Sequence, residues 1–326
     1  MVLVIMSVKK LLEFKVKVTI LLSTYNGSKY LREQLDSLLA QSYSNIEIIA
    51  RDDGSSDEML QILRSYNIQF MPIVENLGAK GSFSTLLDFA LSHTQADYFM
   101  FCDQDDVWNS DKVEKTLAKM KSMEKEFGNF PLLVHTDLEI VDVSLKTIEP
   151  SMWAYEYNFP YKNSLSRLLM QNTVTGCTVM INRALAKKCL NIPDTAVMHD
   201  WWVGLVASHF GKIGYVEEAT IKYRQHGKNS IGVSAFKVNV AQHVLGLIYG
   251  GVFRDKDYIK QLQVNIDQAN AFLQVFHKEL DDKTKDMLID FTSLEIKSFW
   301  QRRLIILKHK LLRQGFLRNI GLFLKI

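Results

Sequence analysis

The sequence lacks any apolar run close to the roughly 20 residues that a helix needs to cross a bilayer. The longest, Val244 to Phe253, is broken by three glycines. Cysteine is scarce as well. Cys102, Cys177 and Cys189 lie far apart, odd in number and without a C-x-x-C spacing. That excludes a thiolate zinc site and reads as reduced thiols in a cytosolic setting. The opening Met1–Met6 is apolar, yet no basic residues precede it and no small-residue cleavage site follows, so it reads as a poor signal peptide. There is no G-x-G-x-x-G after the first apolar strand and no G-x-x-x-x-G-K-[ST]. Those absences argue against a dinucleotide oxidoreductase and a P-loop enzyme. Acidic residues are missing from Ile296 to Ile326, where eight Lys/Arg stand; the rest of this +3 chain is therefore net −5. A near-neutral body with a basic tail is not the charge pattern of a nucleic-acid-binding domain. With 326 residues, 47% apolar and 23% charged, the chain has ordinary globular composition and room for one large domain plus an appendage.

What is present is an alternation. Lys17–Leu22 reads as a buried strand, and Ser28–Gln41 as a helix with Leu31, Leu35, Leu38 and Leu39 on one face. Strand 46–50, a helix carrying Met59, Leu60 and Leu63, and strand 68–74 follow. Next come a helix with Phe83, Leu86, Leu87, Ala90 and Leu91, and a strand through Tyr98–Phe101. Such alternation with short connections predicts an α/β fold with a mostly parallel sheet and helices on both faces.

After each strand stands a polar cluster: Thr24/Tyr25/Asn26, Asp52/Asp53, Asn76/Gly78 and Asp103/Asp105. Ligands of open α/β sheets bind beyond the carboxyl ends of the strands, so a nucleotide crevice is expected there. The last cluster, Asp103-Gln104-Asp105-Asp106, sets three carboxylates within four residues. They repel one another unless a cation sits among them, and short hard oxygen ligands suit Mg²⁺ or Mn²⁺, which would clamp a diphosphate. The alternative is an acidic turn capping the next helix with Asp111 and Glu114. Asp53 is the right group to accept a hydrogen bond from a pyrimidine N3–H, while Thr24 and Gly27 can offer backbone N–H groups to an anion. Asp-Gly-Ser-Ser and Asn-Gly are also plain turn chemistry.

Beyond these, Asp111–Phe127 reads as an amphipathic helix and Leu132–Ile140 as a strand. Met152–Tyr161 alternates aromatics, as a half-buried strand does; its functional alternative is a sugar-stacking wall. Asn172–Ile181 reads as a buried strand whose Gly176 suggests a close approach. His199-Asp200-Trp201-Trp202 opens an apolar helix. Asp200 either N-caps that helix or, with its pKa raised by the tryptophans, deprotonates an acceptor hydroxyl. Arg224 could fork onto phosphate oxygens and His226 could ligate a metal or touch the diphosphate; a basic surface loop is the alternative.

Four ordered motifs carry a resemblance: Ser-Thr-Tyr-Asn-Gly, Asp-Asp-Gly-Ser, Asn-Leu-Gly-Ala-Lys-Gly-Ser-Phe and Asp-Gln-Asp-Asp-x-Trp. Over about residues 17 to 230 the chain resembles a family-2 inverting glycosyltransferase of the GT-A fold, in the rhamnosyltransferase-like branch. That resemblance implies a metal-binding D-x-D at Asp103 and Asp105, completed by His226 and filled by Mn²⁺ or Mg²⁺. Asp106 matches an extra acid often found there. It implies nucleotide-sugar contacts from Thr24, Tyr25, Asn26, Asp53, Asn76, Lys80, Asp103 and Arg224. Asp200 would be the catalytic base, beside an acceptor site of His199, Trp201 and Trp202. The donor implied is dTDP-L-rhamnose, with a UDP-hexose as the other choice. The acceptor that the resemblance implies is a lipid-linked glycan of bacterial surface polysaccharide. A GT-A-like module that binds without turnover is the competing class.

These readings divide the chain into residues 1–235, a catalytic domain with a nucleotide-sugar half (17–110) and an acceptor half (111–235), and residues 236–326, a helical region. There the heptad-like stripe Ile259, Leu262, Ile266, Ala269, Leu273, Phe276, Leu280 fits an intrachain hairpin or a homodimer. Trp300, Leu304, Leu307 and Leu311 share one helical face, with Arg302, Arg303, Lys310 and Arg313 on the other. That is the pattern of a basic amphipathic helix lying on an anionic membrane, hence a peripheral cytoplasmic protein; the alternative is a helix docked on the body by its apolar face.

Overall fold

The computed structural model describes residues 16–71, 75–226 and 255–326. Residues 1–15, the end of the expected third strand (72–74), Gly227–Asn229, the proposed boundary at 235 and the apolar run Val244–Phe253 lie outside them.

The first half is built as the alternation predicts. β1 (Val18–Thr24), α1 (Ser28–Leu39), β2 (Ile46–Asp52), α2 (Met59–Ser65), β3 (Gln69–Phe70), α3 (Gly78–His93) and β4 (Tyr98–Cys102) follow one another. Side chains alternate across a strand, so Val18, Ile20 and Leu22 enter one core while Leu21, Phe99 and Phe101 enter the other. Leu31, Leu35 and Leu38 bury α1; Leu39, expected inward, is exposed at the last turn. β3 is short and half-exposed at the sheet edge.

Then β5 (Val107–Trp108), α4 (Lys112–Phe127), β6 (Leu132–Val141), β7 (Thr147–Glu149), β8 (Met180–Asn182), α7 (Arg183–Lys188), α8 (His199–Phe210) and β9 (Lys212–Arg224) complete the sheet, with short helices α5 (Met152–Glu156) and α6 (Leu165–Leu168) before β8. The order is β3-β2-β1-β4-β8-β6-β9-β5, with β7 on β6. β3, β2, β1 and β4 are parallel; β8 runs antiparallel to both β4 and β6, so the second half is mixed. One expected strand is not a strand, and a second is a strand only at its end. The aromatic segment opens as α5 and continues as a ladder of rings, Tyr157–Phe159 at 5.1 Å and Phe159–Tyr161 at 5.7 Å between centroids. Residues 176–178 form a 3-10 turn before the three-residue β8. Both stretches carry apolar side chains without strict alternation, which local pattern alone cannot assign.

The C-terminal helices are α9 (Asp255–Phe276), α10 (Asp282–Thr292), α11 (Phe299–His309) and α12 (Phe316–Lys325). α9 and α10 form the expected intrachain hairpin, capped by Asp281, whose side chain accepts from the N–H of Thr284. The α9 stripe is used on the body: Trp202 of α8 packs against Phe272 and Phe276, and one continuous core joins β4, α8, α9 and α10.

Candidate active site

Parallel pairing puts the strand ends level. Thr24 is opposite Asp52, and Leu22 opposite Cys102. The polar residues that follow β1, β2 and β4 therefore open on one cavity of about 610 Å³, within the range of small-molecule sites. Thr24, Tyr25, Asp53, Asn76, Asp103 and Asp105 line it from these ends, and His199, Asp200 and Trp201 line it from α8.

Each wall is held by its own bonds. Asp53 is buried, with its carboxylate on Arg51 and on the N–H groups of Leu77 (2.8 Å) and Gly78 (2.8 Å). The Asn76 amide donates to the Asp53 carbonyl at 2.8 Å, so the loop after β3 is tied to the end of β2. Gln104 bridges to the first loop: the Tyr25 N–H donates to its Oε1 (2.6 Å), and its Nε2 donates to the Tyr25 carbonyl (2.9 Å). A Cβ on Gly27 would run into the side-chain amide of Gln104 and push it off the Tyr25 backbone. Asn26 sits at φ 47, a conformation Asn tolerates, and binds Ser55 and Ser56. It faces an adjoining hollow with His226 rather than the main cavity.

Asp200 is not the helix cap; Met198 occupies that place and makes no side-chain bond. The Asp200 carboxylate accepts from the N–H of Gly176 (2.8 Å) and of Trp201 (2.6 Å). Burial is the larger influence, however, and pushes its pKa up to about 6. A Cβ at Gly176 would lie 2.8 Å from His199 Nε2 and 3.5 Å from Asp200 Cβ. The close approach expected of that glycine is real, but it occurs in a turn. His199 is buried against Phe83 (4.0 Å) and Phe101 (4.9 Å), and burial lowers its pKa to about 3, leaving a neutral ring.

Asp103 is pushed up to about 7 by burial first and then by the charges of Asp105 and Asp200. Asp106 is buried beneath; the Arg224 N–H donates to its Oδ1 at 3.2 Å, and its Oδ2 has no hydrogen bond. Lys112 Nζ is likewise buried without a hydrogen bond, 4.6 Å from the Trp108 ring centre. The expected metal set is split. Among the described residues, ligand-type atoms of Asp103, Asp106 and Cys177 gather within 4.8 Å, whereas Asp105 Oδ2 and His226 Nε2 pair with each other at 2.7 Å. Asp103 and Asp106, both raised by burial first and then by the charge of Asp105, and the Asp106 oxygen without a hydrogen bond still make a donor set that fits a hard divalent cation.

Besides Asn26 and His226, which border the adjoining hollow, three more expected contacts lie away from the cavity. Trp202 is buried in the core on α9, not at an acceptor site. Lys80 donates to the carbonyls of Asp194 and Ala196, anchoring α3 rather than facing the cavity. Arg224 is buried: its Nε donates to the Asp105 carbonyl (2.9 Å), its Nη1 to the Val143 carbonyl (2.7 Å), and its Nη2 pairs with Glu33. It holds the Asp105 turn in place. Residues not expected from sequence also line the cavity, including Met152, Glu156, Asn158 and Asn172. The aromatic run masked Glu156, while the apolar run around Asn172 hid its approach to Asp200.

The chain is similar in sequence to several glycosyltransferases and in fold to a solved structure. An uncharacterized glycosyltransferase of Rickettsia typhi is 28% identical over 214 residues, covering 64% of each chain; this chain thus spans less than two thirds of that relative's length. The dTDP-rhamnosyl transferase RfbG of Shigella flexneri is 25% identical over 74% of this chain and 82% of its own. A putative teichuronic acid biosynthesis glycosyltransferase, TuaG of Bacillus subtilis, is 29% identical over 69% and 84%. The fold is similar to that of S. aureus TarS, including its complex with UDP, at TM-score 0.54, 18% identity and coverage of 85% of this chain and 70% of that one. Residues 19–188, more than half of the chain, match the family model for glycosyl transferase family 2, and the protein belongs to that family of glycosyltransferases.

Proposed function

We propose that the protein is a metal-dependent, inverting glycosyltransferase that moves L-rhamnose from dTDP-L-rhamnose to a hydroxyl of a lipid-linked glycan in bacterial surface polysaccharide synthesis. The observation that carries the reading is the convergence of Asp103, Asp105 and Asp200 on one cavity. The acid near the strand ends and the acid on α8 have different surroundings and therefore different work.

Asp200, held by the Gly176 and Trp201 N–H groups, takes the proton of the acceptor hydroxyl. That oxygen attacks the anomeric carbon from the face opposite the diphosphate, whose C–O bond breaks with the electron pair leaving on phosphate. One displacement inverts the configuration, and no covalent intermediate is needed. Asp53 accepts from the base N3–H, and Thr24, Tyr25 and Asn76 border the nucleoside. Asp103 and Asp105, with His226 released from Asp105, would hold Mn²⁺ or Mg²⁺, which when bound neutralises charge on the departing diphosphate. His199 and Trp201 shape the acceptor side. The rhamnosyl donor is supported by RfbG, and a polysaccharide acceptor by TuaG.

The test is donor hydrolysis without acceptor. With Mn²⁺ or Mg²⁺, dTDP-L-rhamnose should be turned over by the wild type and not by Asp200→Asn. Turnover of a UDP-hexose instead would change the donor but keep the mechanism. Binding of nucleotide without turnover of any donor would make this a binding module. A thermal-shift panel of dTDP, UDP and GDP with and without Mn²⁺ checks the base, and preference for GDP would overturn the role of Asp53.

A further inference from the structure

α11 does not dock by its apolar stripe. Its body-facing side is Arg303, Ile305 and Ile306, with the Arg303 guanidinium lying over the Phe299 ring at 3.3 Å. Trp300 (73% exposed), Leu304 (64%) and Leu307 (58%), at i, i+4 and i+7, face solvent together in the described structure. α12 repeats the arrangement: Leu322 is buried, while Phe316 (79%), Leu317, Ile320 and Leu324 are exposed. An apolar face of this kind is normally hidden in a soluble protein.

Two observations indicate what covers it. From 296 to 326 there is no acid, and Lys297, Arg302, Lys308, Lys310, Arg313, Arg318 and Lys325 are all at least partly exposed. The acids nearby are Asp290, paired with Lys308 and His309, exposed Asp286, whose charge also acts on Lys308, and exposed Glu295. In addition, α12 leans on the rim of the cavity. The Arg318 guanidinium donates to the carbonyls of Glu156 (2.9 Å) and Tyr157 (3.2 Å), and Gln314 bonds Asn158 and Phe159. Glu156 and Asn158 line the cavity. Beside them Tyr157 and Tyr161 expose more ring surface.

We infer that the outward faces of α11 and α12 seat the protein on an anionic bilayer, apolar side chains inserted and cations at the headgroups, with the Glu156–Asn158 rim held near the surface. This goes further than the proposed function and rests on it only for the acceptor's identity as an amphiphile. An interfacial helix of this type needs both an apolar face and flanking cations.

The experiment is co-sedimentation of the full chain with vesicles of phosphatidylcholine alone and with phosphatidylglycerol added. Binding is expected only to the anionic vesicles, falling as salt rises. Trp300→Ser with Leu304→Ser, and separately Phe316→Ser, should lower the bound fraction by about tenfold, with circular dichroism and acceptor-free donor hydrolysis unchanged. Lys297→Glu with Lys310→Glu, which leave the apolar faces intact, should weaken binding similarly. Absence of sedimentation, or variants that sediment as the wild type does, would overturn the inference. So would a dimer in solution that the Trp300 variant splits, because a second copy would then own this face. Donor hydrolysis is read separately, so its failure would count against the catalytic proposal and leave the vesicle result standing.

Discussion

Asp200 accepts from two backbone N–H groups, yet burial keeps its pKa near 6. A base works ionised, so kcat should fall as pH drops below about 6 and level off above it; a pH–rate profile of donor turnover checks this. Asp200→Asn should cost about 10²–10⁴-fold in kcat with little change in donor KM, by steady-state kinetics. Gly176→Ala should also lose activity, since its Cβ would press on His199 at 2.8 Å and tilt the N–H that Asp200 uses; kinetics beside a melting curve separates that from unfolding. The acids themselves were legible because Asp53, Asp103 and Asp200 follow recognisable strands or open a helix. The partners of Lys80 and Arg224 were not, because they lie 81 to 191 residues away in sequence.

At the scale of elements, periodicity read the parallel half well because each strand and helix there buries its own stripe. It failed at 152–161 and over 172–179, where a five-residue helix and a 3-10 turn carry the cavity wall, and held only at the β8 end of the second stretch. It also failed on α8. Trp201 and Trp202 are neighbours in sequence but roughly 100° apart around a helix. One lines the cavity, its Nε1 donating to the Leu168 carbonyl at 2.6 Å, and the other fills the core. Trp202→Ala should therefore destabilise by about 3–5 kcal/mol in denaturant unfolding. Trp201→Ala should change acceptor KM with a smaller loss of stability.

For the whole molecule, the core that backs the site runs on into α9 and α10. A chain ending after β9 would uncover Trp202 and Phe210, which pack on Phe272 and Phe276 of α9. Such a truncation should be insoluble or molten, with near-UV circular dichroism lost, rather than an independent catalytic unit. No helix among the described residues is long and apolar enough to cross a membrane. Any contact with a bilayer through α11 and α12 would thus be at its surface.

Sequence by itself determined the layered α/β plan, the edge of the sheet at which the cavity opens and the acids that face it. Those depend on the two- and three-to-four-residue periods of strands and helices and on motifs only a few residues long. Tertiary packing alone decided that Trp202 is core, that Arg224 braces Asp105, that Gly176 holds Asp200, and that the apolar stripe of α11 points outward. Each of these is a choice between two faces of one element, and the choice is made by distant segments that compete to cover it.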